Sequence, residues 1–142
     1  MNRTIKFRAW DKDWKIKEML YFSIFDTDDG LYCKDGVTDI RKAEIMQFTG
    51  LKDKNGKEIY DGDIVKFTYW WFDGSEQETE LKGVLSFNNA SFTLSKIDNS
   101  FFEHHTGYKK GEGEIWFGEL DFCESDFEVI GNIYENPNLL NQ

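Results

Sequence analysis

Ile5, Phe7 and Ala9 fall on one side of an extended "TIKFRAW", and Lys6, Arg8 and Trp10 on the other. A period of two marks a half-buried strand. Asp11-Lys12-Asp13 reads as a turn, and "WKIKEMLYF" (14–22) resumes the extended pattern. The pair predicts a hairpin with Trp10 and Trp14 facing each other across it. "FDTDDGLYCKDG" (25–36) reads as loop, and "RKAEIMQFTG" (41–50) as a strand ending at Gly50. "DIVKFTYWW" (63–71) is β-branched and aromatic almost throughout, which predicts a strong strand. After the polar loop "FDGSEQETE" (72–80), "LKGVLSF" and "SFTLSKI" predict a hairpin around Asn88-Asn89-Ala90. "HHTGYKKGEGE" (104–114) reads as a polar loop, and "IWFGELDF" and "FEVIGNIY" as the last extended segments. Asn136 suits a helix cap and Pro137 the first helical position, so a helical turn or two closes the sequence. Short helices over 20–26 or 38–45 are compatible with the pattern but not demanded by it.

Composition supports the β reading. Aromatic residues make up 17% of the 142 positions, and broad rings pack well on a pleated surface. A length of this order builds a core without disulfide or metal staples. Pro137 is the single proline, which argues against a proline-rich linker. No apolar run approaches the roughly 20 residues of a membrane span. The start "MNRTIKFRAWDKDWK" is charged throughout and unlike a signal peptide. Cys33 and Cys123 lie far apart, which fits free thiols and a cytoplasmic setting.

The net charge of −10 is unevenly spread. Residues 1–57 are slightly basic, whereas residues 111–142 hold eight acids and no Lys or Arg. Such a chain repels nucleic-acid phosphates over most of its surface. Its acidic part suits a basic partner, including the basic end of another copy.

The stretch "TGLKDKNGKEIYDGDIVKF" (49–67) gathers Asp53, Asn55, Gly56, Asp61, Gly62 and Asp63. A calcium loop of the EF-hand kind needs oxygen ligands at positions 1, 3 and 5, glycine at 6 and glutamate at 12. Counted from Asp53, the fifth, sixth and twelfth places hold Lys57, Glu58 and Ile64, so the spacing fails. "DTDDG" from Asp26 fails too, with Gly30 one place early. Turns account for the same residues: Asn55-Gly56 is a strong hairpin signal, because both residues accept positive φ. Asp61-Gly62 is a second turn ahead of the strand from Asp63. Elsewhere, His104 and His105 diverge on an extended segment. Cys123 has no histidine near it in sequence, and the glycines of "GEGEIWFG" match no phosphate loop. No catalytic residue, metal ligand or cofactor is assigned. The best binding candidate is the first hairpin, where Arg8, Lys12 and Lys15 interleave with Trp10 and Trp14; cations hold phosphates and rings stack on bases. The competing reading packs the tryptophans on the barrel or on a neighbouring subunit, with the charges solvating the strand edge.

"IKFRAWDK", "MQFTGLKDKNGKEIYDGDIVKF" and "FEVIGNIYENPNLL", in that order, resemble the YopX family, small proteins of bacteriophages and prophages. The resemblance implies a mostly β fold with a barrel-like part after "DGDIV", a setting in the cytoplasm of a bacterial host cell, and no established activity. The expectation is therefore an α+β, mostly β protein with few short helices. Residues 1–47 form an N-terminal β-hairpin module and 48–142 an SH3-like β-barrel. Function is expected to be that of a phage accessory protein, a non-enzymatic protein-binding or self-assembling module. A homo-oligomer, or a host or phage protein as partner, follows from the charge division. The alternatives are a nucleic-acid binder, an acidic nucleic-acid mimic and a hydrolase-like enzyme with a Cys/His site.

Overall fold

The computed structural model describes residues 5–10, 19–23, 27–28, 32–33, 43–72, 74–88, 91–97, 113–116 and 127–141. Four strands form one antiparallel sheet in the order β2-β1-β5-β6: β1 Lys6–Trp10, β2 Leu20–Ser23, β5 Glu44–Lys52 and β6 Glu58–Tyr60. Between them in sequence, β3 Thr27–Asp28 and β4 Tyr32–Cys33 pair with each other. Five strands form the second antiparallel sheet, in the order β10-β9-β8-β7-β11. These are β7 Asp63–Phe72, β8 Glu76–Asn88, β9 Ser91–Ile97, β10 Gly113–Trp116 and β11 Phe127–Asn132. A 3-10 helix, Pro137–Asn141, follows the last strand. The proline opens it, as its fixed φ and missing N–H favour.

The main core lies on the inner face of the five-stranded sheet. Cross-strand partners share a face, so Phe67, Leu81 and Phe127 form one row, and Leu85 and Leu94 another. Phe67 and Phe127 stack with centroids 5.6 Å apart. Ile59 and Leu51 close this core from the β5–β6 ribbon. Gly83 leaves room there, since a Cβ on it would lie 3.2 Å from Ile97 and from the Ser95 carbonyl. A smaller cluster, Ala9 and Phe22 with Phe7, Leu20 and Ala43, lies on the four-stranded sheet.

Several expectations change. The described strands form two larger sheets and one two-stranded pair, and no closed barrel. Side-chain packing of Ile59 and Leu51, without a shared ladder, brings the β5–β6 ribbon onto the five-stranded sheet. β1 and β2 do pair, but Ala9 opposes Leu20, a register that does not set Trp14 across from Trp10. The expected turn at 11–13, and Trp14 with it, lies outside the described residues. β5 does not end at Gly50: that residue has φ +89°, and the pairing with β6 shifts register between Phe48 and Lys52. Glycine there makes a bulge, and the strand continues. β5 runs through the position of the expected boundary between 47 and 48. The 20–26 and 38–45 segments contain strand at Leu20–Ser23 and from Glu44 onward.

Candidate functional site

The patterned stretch builds two linked features. The first is the turn between β5 and β6. Asp53 N–H donates to the Lys57 carbonyl (2.8 Å) and Gly56 N–H to the Asp53 carbonyl (3.0 Å). Gly56 has φ +81°, whereas Asn55 keeps negative φ, so one residue of the pair takes the left-handed conformation, not both. The Asp53 side chain organises the loop. Its Oδ1 accepts the N–H groups of Asn55 and Lys57, and its Oδ2 accepts that of Val129 in β11, each at 2.9 Å. Lys54 N–H donates to the Phe127 carbonyl, a second tie to β11. Asp53 is 3% exposed. Burial raises its carboxyl, but the three N–H donors and the Lys57 charge outweigh that and hold it below the ordinary value. A carboxylate engaged in this way is a structural acceptor, not a metal ligand. Among the described residues, no group of His, Cys, Asp and Glu is arranged to hold a metal ion.

The second feature is the corner Tyr60–Asp63. Gly62 has φ +87°, and a Cβ on it would lie 2.9 Å from the Met46 sulfur. The corner spends its backbone groups on three other segments. Asp61 N–H donates to the Gln47 carbonyl in β5, Gly62 N–H to the Leu85 carbonyl in β8, and the Gly62 carbonyl accepts Ile133 N–H. Asp63 then reaches back: Oδ2 accepts Tyr60 N–H at 2.8 Å, and Oδ1 pairs with Arg8 Nη2 at 2.8 Å. Arg8 also donates to the Asp61 carbonyl at 3.1 Å, with its guanidinium 4.9 Å from the centre of the Tyr60 ring. The Arg8 and Asp63 side chains are 2% and 1% exposed. Burial raises the Asp63 carboxyl above the ordinary range, against the pull of Arg8. Asp61 is raised by burial as well. Burial and the bond donated to Glu58 push the Tyr60 phenol far up, while the bond from Lys6 holds Glu58 down. The arrangement joins the two sheets through a buried charge pair. Neither Tyr60 nor Asp63 is poised as a general base, because each is already engaged.

The residues expected to bind a partner are divided by the structure. Arg8 is inside the corner, and Trp10, 9% exposed, stacks on Tyr134 with centroids 6.0 Å apart. Lys12, Trp14 and Lys15 lie outside the described residues, as do His104, His105 and Cys123. Sequence reasoning missed the pairing of Arg8 with Asp63. The signal was Trp10, which shares the phase of Arg8 and Lys6 and so marks that face as partly covered.

The closing segment completes the junction. Asn132 Oδ1 accepts the N–H groups of Tyr134 and Glu135, and Asn136 N–H donates to the Asn132 carbonyl. A Cβ on Gly131 would lie 2.7 Å from Asn136 Oδ1, so only glycine lets this turn fold back on β11.

A two-sheet β protein whose sheets meet at an Arg–Asp corner is the class that fold and site define. The family model described as "YopX protein" matches residues 6–141, and the chain belongs to that family. No curated protein matches it. Among solved structures, it is similar to protein EF1440 from Enterococcus faecalis, at 24% identity over 98% of this chain and 99% of that one, with a TM-score of 0.41.

Proposed function

We propose that this chain is a phage- or prophage-encoded accessory protein of the bacterial cytoplasm that works by binding protein surfaces, its own included. In this reading residues 1–47 are the docking module and 48–142 its support. The observation that carries it is the division of chemistry between interior and surface. Asp53, Arg8 and Asp63 are buried and engaged in holding the fold, while Ile5, Tyr21, Ile45 and Phe87 are large apolar side chains left 37–54% exposed. Exposed apolar residues of this size fit a protein interface better than a catalytic pocket. The slightly basic start and the acidic end of the sequence add an attraction between copies.

Light scattering over a range of concentrations tests the reading. The expected result is a mass above that of the 16.8 kDa chain, reduced in Lys12→Glu/Lys15→Glu. A monomer mass at every concentration removes self-assembly, and an unchanged mass in the double variant removes the basic hairpin from it.

A further inference from the structure

Asn55-Gly56 is the single asparagine–glycine pair of the sequence, and it sits in the turn between β5 and β6. Both residues are exposed. Asn55 is held by its backbone N–H, on Asp53 Oδ1, and among the described residues no bond holds its side-chain amide. The Gly56 nitrogen has no Cβ beside it, and a Cβ built there would meet nothing within 4 Å. The Asn55 amide carbon is therefore an electrophile with an unhindered backbone nitrogen one residue away. One restraint stands between them. Gly56 N–H donates to the Asp53 carbonyl at 3.0 Å, and the Asp53 carboxylate closes the turn on the N–H groups of Asn55 and Lys57. A nitrogen engaged in this way keeps its proton until the turn opens. The second turn is closed more firmly. Gly62 N–H donates to the Leu85 carbonyl at 2.7 Å, Met46 crowds the glycine, and the residue before it is a carboxylate, a poorer electrophile than an amide.

We propose that Asn55 is a site of spontaneous deamidation, with water as co-reactant and the Asp53 bonds as its gate. When the turn opens, the Gly56 nitrogen loses its proton to hydroxide and attacks Asn55 Cγ. The new N–Cγ bond closes a succinimide ring. The Cγ–Nδ2 bond breaks, and ammonia leaves with a proton from water, which restores the hydroxide. Water then opens the ring. Breaking the bond from the Gly56 nitrogen to Cγ gives aspartate at this position. Breaking the bond from that nitrogen to the backbone carbonyl carbon gives isoaspartate, whose main chain runs through Cβ and Cγ. The sum is one water consumed and one ammonia released, with no change of oxidation state. The two products act differently on the fold. Aspartate adds a charge to an exposed turn. Isoaspartate lengthens the main chain inside the loop that Asp53 spans. That loop is tied to β11 by Lys54 N–H on the Phe127 carbonyl and by Val129 N–H on Asp53 Oδ2. A longer loop does not keep all these bonds at once, so the β5–β6 ribbon loosens from the five-stranded sheet.

Prolonged incubation of the full chain in mildly alkaline buffer, followed by cleavage after glutamate and mass spectrometry, tests the site. The expected result is conversion of Asn55 to a mixture of aspartate and isoaspartate, slower in the folded chain than in the chain unfolded by urea. Asp53→Asn is expected to speed the conversion by on the order of tenfold, and hydrogen exchange of the Gly56 N–H by a similar factor, because both need the same opening. Circular dichroism checks the fold of that variant. Wild type in sub-denaturing urea supplies the same comparison, with conversion and exchange expected to rise together. The isoaspartate fraction is expected to melt below both unmodified protein and Asn55→Asp, which carries the charge on an ordinary main chain. An Asn55 amide that persists in the folded chain while the unfolded chain loses it overturns the site. Conversion that keeps one rate while Gly56 exchange accelerates overturns the gate. An isoaspartate fraction that melts with Asn55→Asp overturns the loosening of the ribbon.

Discussion

At the scale of single residues, the decisive fact is that Asp63 has no solvent to fall back on. Its two oxygens hold Arg8 and the Tyr60 N–H, and its side chain is 1% exposed. Removing one partner of a buried pair strands the other charge, which costs about 3–5 kcal/mol. Arg8→Met is expected to lose stability in that range by urea unfolding. Arg8→Met/Asp63→Asn is expected to lose less than the sum of the two single changes, because the stranded charge is gone. Additive losses would show that the pair is not coupled. Asp53 differs in kind: its bonds are to backbone N–H groups, so its worth lies in shaping the turn and tying it to β11. Both acids were visible in the sequence as turn residues. Their burial was not, since nothing local in "KDKNGKEIYDGD" says which carboxylate points inward.

Two turns with similar sequence signatures behave differently as elements. Gly56 and Gly62 both have positive φ, but a Cβ on Gly56 would meet nothing within 4 Å, while one on Gly62 would lie 2.9 Å from the Met46 sulfur. Gly56→Ala is expected to cost only the left-handed backbone penalty, about 1–2 kcal/mol. Gly62→Ala adds a clash and a strained corner, about 1–3 kcal/mol more. Thermal melts of the two variants check the order, and equal losses would contradict it. Strand identities were legible from period and composition for β1, β5, β7, β9, β11 and the latter part of β8, whose first residues, 76–80, read as a polar loop. The register of β1 on β2 was not, because the connection is longer than a tight turn and its length sets the pairing. The bulge at Gly50 was likewise hidden, since one glycine inside a strand pattern reads equally well as an end.

For the whole molecule, the junction couples fold to pH with two opposing signs. Asp53 and Glu58 are held below their ordinary values, so their stabilisation is complete above the unfolded-state values near about 4 and is lost as the pH falls through the folded ones. Burial raises Asp61 and Asp63, so their ionisation costs the folded state as the pH rises through the window just above the ordinary carboxylate range. Stability is thus expected to rise as acidification crosses that upper window and to fall below about pH 4. Asp53→Asn, which turns an amide donor toward an N–H, is expected to cost about 1–3 kcal/mol at neutral pH. The gap to wild type narrows in acid, where Asp53 itself takes up a proton. Melting temperatures across that pH range check both statements, and a gap that widens in acid would reverse the assignment. The sequence by itself determined a mostly β chain, two turns in the patterned stretch, a family and an uneven charge, because period, turn chemistry and composition are local properties. Only the tertiary structure decided that the described strands make two larger sheets and a two-stranded pair without closing a barrel. The same holds for Arg8 of one sheet meeting Asp63 of the other. Those outcomes depend on which distant segments satisfy the backbone groups and charges that each local element leaves over.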